Sequence, residues 1–237
     1  MYNPLEISST VQKYVLKNGN FKKYYRFRGA KYYGGISTAD VVGCNLHCCF
    51  CWVHPKVRYR FQTVGEFYSP ELVGQKLVQI AQKAHFNLLR ISGGEPTIGE
   101  AHLIALLKYV DEYPYEFILE TNGILLSNED YTKQLDKFNK LHVRVALKAG
   151  TPETFSKVTG AIPKAYYYPL DALRLLIEYE VSCHASIIIN FCSNGELKFL
   201  IKELQNIDSS LVQELEYESL ILYPHVKKGL KKSGYIV

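Results

Sequence analysis

The stretch "ISTADVVGCNLHCCFC" (36–51) decides how the rest of the chain is read, because a β-branched run leads straight into four of the six cysteines. "ISTADVV" (36–42) predicts a strand, so the cysteine loop hangs from a strand end. Cys44, Cys48 and Cys51 follow a C-x3-C-x2-C spacing. Three thiolates on one tight loop are a soft donor set for zinc or an iron–sulfur cluster. Structural zinc takes four protein ligands; Cys183 and Cys192 lie eight residues apart in no knuckle spacing, while His47 and His54 remain alternative fourth ligands. Cys49, the remaining sulfur of the clump, is expected to point away from the other three.

Working outward, strand and helix patterns alternate. Helices are expected over 69–84, with Ser69 as N-cap and Pro70 at the first helical position, and over 100–113, 127–138, 151–160, 169–180 and 194–205. Strands are expected over 86–92, 115–120, 142–148, 183–191 and 212–223. About six β-α units predict a parallel sheet covered by helices, either a partial barrel or an open doubly wound sheet. The motifs "CNLHCCFC", "GGEP" (93–96), "TNG" (121–123) and "KAG" (148–150) each follow a strand. Loops beyond parallel strand ends gather on one face and form the ligand site.

Composition bounds the function classes. The chain has 237 residues, 47% hydrophobic and 22% charged, which fits an ordinary globular core and argues against disorder. No run approaches the roughly 18 apolar residues of a membrane helix, and the first twenty residues lack a signal-peptide core. A cytosolic protein is expected, and clustered cysteines in a reducing compartment read as ligands or catalytic thiols. The net charge of +5 is uneven: "KKYYRFRGAKYY" (22–33) interleaves basic and aromatic residues, and "KKGLKK" (227–232) holds four lysines. Such surfaces suit single-stranded nucleic acid or an acidic protein. Residues 1–35 read as an N-terminal extension, 36–223 as the core and 224–237 as a basic tail.

"CNLHCCFC" resembles the cysteine signature of the radical S-adenosylmethionine (SAM) enzymes, with Phe50 in its aromatic position, and "SGGEP" (92–96) resembles their GGE motif. The resemblance implies a partial (β/α)6 barrel and a 4Fe–4S cluster held by Cys44, Cys48 and Cys51. It also implies SAM on the open iron, with Gly93, Gly94 and Glu95 at its methionyl end. Glycines let backbone come close to a ligand, and Glu95 offers a carboxylate to an ammonium. Asn122 and Lys148 are further candidate SAM contacts. The implied chemistry is reductive SAM cleavage to a 5′-deoxyadenosyl radical that takes hydrogen from substrate, fed by a flavodoxin- or ferredoxin-type electron donor. "RVALKAGTPETFSKVTGA" (144–161) is similar to the pyruvate formate-lyase-type activating-enzyme branch, which acts on glycyl-radical protein partners, although Ala146 stands where that branch carries aspartate. "CNLHCCFCW" also resembles the cysteine loop of a tRNA wybutosine-type enzyme, which makes nucleotide or tRNA modification the alternative. A non-enzymatic zinc or Fe–S protein is the third reading, and GGEP argues against it.

Overall fold

The computed structural model describes residues 1–18 and 20–236; Gly19 and Val237, within the two flanking segments, lie outside the described residues. The strands are β1 (Leu16–Lys17), β2 (Phe21–Ala30), β3 (Ile36–Val41), β4 (Glu66–Tyr68), β5 (Leu88–Gly93), β6 (Glu116–Thr121), β7 (Leu141–Leu147), β8 (Cys183–Ile188) and β9 (Glu216–Glu218). The helices are α1 (Pro4–Val15), α2 (Pro55–Arg58), α3 (Pro70–Ala84), α4 (Glu100–Asp111), α5 (Glu129–Lys133), α6 (Pro152–Thr159), α7 (Tyr167–Glu178), α8 (Asn194–Gln205), α9 (Ser210–Gln213) and α10 (Pro224–Lys232).

Strands β3, β5, β6, β7, β8 and β9 pair in chain order, every step parallel. This is a partial (β/α)6 barrel with parallel strands. The helices start where side chains satisfy their free amides: Ser69 accepts from the Leu72 N–H, and Ser193 forms a capping box with Glu196. Gly160 ends α6 at φ 80°, a left-handed cap that favours glycine.

Alternation along the strands sorts the two faces. Ala39, Val41, Leu89, Ile91, Leu119, Val143 and Ile187 pack into one hydrophobic core with helix residues such as Leu77, Leu103 and Leu173. Each such leucine contributes roughly 1.5–3 kcal/mol by leaving water. The intervening residues Thr38, Asp40, Arg90, Ser92, Arg144 and Ser186 are buried on the opposite, inner face. Among the described residues no helix is long and apolar enough to cross a membrane.

In the amino-terminal segment α1 buries Val11 and Val15 against Val42 and Ile98, and β2 runs antiparallel to β3. Two expectations are corrected. The helix expected over 127–138 is broken. Ser127 Oγ donates to the Ile124 carbonyl in a 3-10 turn, and Asn128 is the residue that caps α5. The strand expected over 212–223 shrinks to Glu216–Glu218, because its start is taken by α9 and the Leu220 N–H donates to Asn190 Oδ1 instead of a strand.

Candidate active site

The cysteine loop and the GGEP loop leave adjacent parallel strands, β3 and β5, and are joined backbone to backbone. The Gly94 N–H donates to the Val41 carbonyl at 2.9 Å and the Glu95 N–H to the Gly43 carbonyl at 2.7 Å. A Cβ on Gly94 would stand 2.0 Å from the Gly43 oxygen, and one on Gly93 (φ 95°) 2.9 Å from the Val41 nitrogen. Both glycines let the two loops approach this closely. Gly43 (φ 90°) in turn is covered by Val11 and Val15 of α1. From the other side Tyr2 Oη accepts from the His47 N–H at 2.7 Å and donates to the Thr159 carbonyl at 3.0 Å. The amino-terminal segment therefore holds the cysteine loop in place.

All six cysteines are free thiols. Cys44 Sγ accepts from the Leu46 N–H at 3.4 Å, and Asn122 Nδ2 lies 3.9 Å away. Asn122 Nδ2 also donates to Asn45 Oδ1 at 2.6 Å, while the buried Asn45 Nδ2 has no partner. Burial pushes the Cys44 thiol well above its ordinary range. It pushes Cys48 up to about 12, against the favourable charge of Lys148. A metal that displaces the proton supplies the positive charge that such a buried sulfur lacks. Arg58 Nη1 donates to the Cys48 carbonyl at 2.6 Å, and its guanidinium also lies against the Cys51 thiol. Phe50 is buried and packs on Phe191 with centroids 4.8 Å apart.

The backbone of Cys49 is held by other segments: its N–H donates to the Val158 carbonyl at 2.8 Å, and its carbonyl lies under Gly229 of α10. Cys183 sits at the start of β8 and Cys192 beyond its end, so neither belongs to the loop. Among the described residues no three His, Cys, Asp or Glu side chains are gathered closely enough for a single metal ion. A polynuclear cluster makes a different demand, because its thiolates bind separate irons. The donor set fits such a cluster: three free thiols on one loop, N–H groups directed at Cys44, and a cationic guanidinium beside Cys51.

The Glu95 carboxylate, 1% exposed, is turned into the protein and accepts from the Thr97 N–H, Thr97 Oγ1 and Thr121 Oγ1 on Oε1 and from the Asn122 N–H on Oε2, at 2.6–3.1 Å. It ties the β5 loop to the β6 loop. Lys22, buried in β2, donates to the carbonyls of Glu95, Pro96 and Ile98 and holds the same loop from behind.

Sequence reasoning missed the inner face. Arg90 pairs with Glu120 at 2.8 Å, and Ser92 Oγ donates to the same carboxylate at 2.6 Å. Arg144 pairs with Glu216 and Glu218, and Glu216 also meets His184 at 3.1 Å. Asp40 Oδ2 accepts from Arg26 and Arg28, leaving Oδ1 buried and unpartnered, as is Ser186 Oγ. The signal was present: one charged residue interrupts each of the apolar runs "LLRI" (88–91), "FILE" (117–120) and "VRVAL" (143–147). The same pairings consume most of the basic stretch 22–33. Lys22, Lys23, Arg26 and Arg28 are all engaged within the protein.

A loop of three buried or half-buried thiols at the mouth of a parallel partial barrel defines a cofactor enzyme with a metal cluster at the strand ends. The Radical SAM superfamily profile matches residues 40–200. The chain belongs to the radical SAM superfamily, whose members use a 4Fe–4S cluster and SAM. It is similar to the probable GTP 3′,8-cyclase of Thermococcus kodakarensis, at 30% identity over 49% of this chain and 36% of that one. It is also similar to the 7-carboxy-7-deazaguanine synthase of Methanothermobacter thermautotrophicus, at 24% identity over 78% of this chain and 68% of that one. Streptococcus suis SuiB bound to precursor peptide SuiA shares the fold, with TM-score 0.62 and 15% identity over 78% of this chain and 39% of that one. The chain thus spans 36% of the cyclase's length.

Proposed function

We propose that the chain is a radical SAM enzyme whose substrate is a small guanine-type nucleotide or base. Cys44, Cys48 and Cys51 hold the cluster, the Gly93–Gly94 backbone, Asn122 and Lys148 border SAM, and Glu95 acts as a strut between loops. When bound, the cluster and SAM supply reductive cleavage to a 5′-deoxyadenosyl radical. Asn122 directs its amide at Cys44 and fixes that sulfur's orientation, and Phe50 closes the loop against water. Residues 36–223 form the catalytic unit, with 1–35 and 224–237 as flanking segments that brace the cysteine loop. The cytosol, where thiols stay reduced, is the compartment proposed.

The observation that carries the substrate reading is the charge-paired inner face, with Asp40 Oδ1 and Ser186 Oγ unpartnered. Buried polar atoms favour a ligand that supplies donors and acceptors, as a purine ring does. The curated relatives support it, since one is named for GTP as the compound it cyclises and another for a deazaguanine as the compound it makes. The activase reading rests on the stretch 144–161, where Ala146 replaces the branch's aspartate, and gains no support from those relatives.

The test is anaerobic reconstitution with iron and sulfide, then dithionite, SAM and ring- and ribose-deuterated GTP. The reading expects GTP to accelerate 5′-deoxyadenosine release and deuterium to appear in it. No acceleration by GTP, guanosine or a 7-deazaguanine would refute the substrate class while leaving the cluster assignment intact.

A further inference from the structure

The cysteine loop lies in a stretch without acids: residues 41–65 contain no Asp or Glu, but carry Lys56, Arg58 and Arg60. Lys56 and Arg60 are exposed, whereas Arg58 is half-buried. The short helix α2 turns it back onto the loop. Pro55 opens that helix, and His54 Nδ1 accepts from the Lys56 N–H at 3.2 Å. Arg58 Nη1 then reaches the Cys48 carbonyl at 2.6 Å, the same oxygen that accepts the Cys51 N–H at 3.2 Å. One guanidinium thereby pins the turn that spaces two of the three thiols.

The rest of the guanidinium finds little to answer its charge. Nη2 donates to Tyr59 Oη, the Tyr59 ring centroid lies 4.5 Å from Cζ, and the buried Nε has no partner. No ion pair among the described residues involves Arg58, whereas Arg26, Arg28, Arg90 and Arg144 each meet a carboxylate. A cation partly withdrawn from water without a counter-charge is costly. The atoms beside Arg58 that turn anionic on metal binding are sulfurs. The Cys51 thiol lies against it, and its field also reaches Cys48 and Cys49.

We infer that Arg58 is the counter-charge of the centre held by the cysteine loop, a positioning residue that raises the reduction potential of that centre. Thiolates bring negative charge, and one-electron reduction adds one more, with no other bond made or broken. A fixed guanidinium on the same turn favours the reduced form, because net charge and hydrogen bonding around the sulfurs set such potentials and a low dielectric strengthens both. Arginine suits the task, since its charge does not titrate away. A residue that only clamped the turn would need a donor to the Cys48 carbonyl and no permanent charge. This role rests on the cluster assignment to Cys44, Cys48 and Cys51 and is independent of the substrate.

The test compares the full chain with Arg58→Gln, which keeps a donor and loses the charge, and with Arg58→Lys, which keeps the charge. Each is reconstituted anaerobically with iron and sulfide, assayed for iron, and titrated with dithionite and redox mediators while the visible absorption is followed. Expected in the Gln variant is full iron content with a roughly tenfold or greater fall in the reduced-to-oxidised ratio at a set potential, about 59 mV towards lower potential. The Lys variant should keep most of the wild-type potential. The iron-free Gln variant should unfold at no lower denaturant concentration than the wild type, because an unanswered charge has been removed. An unchanged potential in the Gln variant would overturn the inference, as would equal shifts in the Gln and Lys variants. Should the Gln variant bind no iron, full iron in the Lys variant supports the charge role, and equal loss in both overturns it. A wild-type chain that binds no iron would overturn the cluster assignment itself, a result distinct from an unchanged potential.

Discussion

Gly94 rests on Gly43 at a separation that no side chain tolerates: a Cβ on Gly94 would lie 2.0 Å from the Gly43 carbonyl oxygen. The contact locks the GGEP loop to the first residue before Cys44. Gly94→Ala must therefore push the two loops apart, at a cost on the order of 2–3 kcal/mol. The measurements are thermal unfolding of the unloaded protein and iron bound after reconstitution, both expected to fall. An unchanged melting temperature would show that the loops are not held this way.

Glu95 acts as a strut, with four donors converging on its carboxylate. Glu95→Gln puts an N–H donor against hydroxyl and amide donors and removes the charge that favours them. A stability loss of about 2–4 kcal/mol is expected in the unloaded protein by denaturant titration. A residue whose carboxylate served only a bound ammonium would leave unloaded stability unchanged.

His102 links stability to pH. Its Nδ1–H donates to the Asn20 carbonyl at 2.7 Å and its Nε2 accepts from Tyr24 Oη at 2.8 Å, so the neutral ring satisfies both partners. Burial lowers its pKa to about 4. The unfolded ring, with an ordinary value near 6.5, binds a proton first as pH falls. The stability gained by a neutral His102 is complete above about pH 6.5 and is lost between there and pH 4, with a full span of roughly 3 kcal/mol. Denaturant midpoints of the wild type and His102→Gln should converge over that window. Parallel curves would contradict the assignment.

Asp40 holds Arg26 and Arg28 with one oxygen and presents the other, unpartnered, to the inner face. Asp40→Asn should raise the KM for a guanine-type substrate about tenfold, through the lost charge-assisted acceptor. Substrate-independent SAM cleavage should be retained. A variant with unchanged KM would remove Asp40 from the substrate surface.

The barrel was legible because its parallel strands and long helices carry local signals: β-branched runs, Ser69 before Pro70, Gly160 after α6. The antiparallel strand β2 was not, since it carries Lys22, Lys23, Arg26 and Arg28, whose partners are distant carbonyls and Asp40. A charged strand reads as surface until the atoms that neutralise it are known. The same limit hid the role of Glu95, whose partners Thr121 and Asn122 come from the next strand. It also hid the inner face, whose arginines and glutamates pair only across the parallel register. The contacts of the Cys49 backbone with Val158 and Gly229 join segments more than a hundred residues apart in the chain, and no local pattern announces them.

The most direct test of the central claim is iron and sulfide content, with the cluster's visible absorption, after anaerobic reconstitution of four single variants. Cys44→Ala, Cys48→Ala and Cys51→Ala should each lose most of the bound iron, whereas Cys49→Ala should retain the wild-type content and spectrum. Full iron content in any of the first three, or its loss in Cys49→Ala, would contradict the three-thiolate centre.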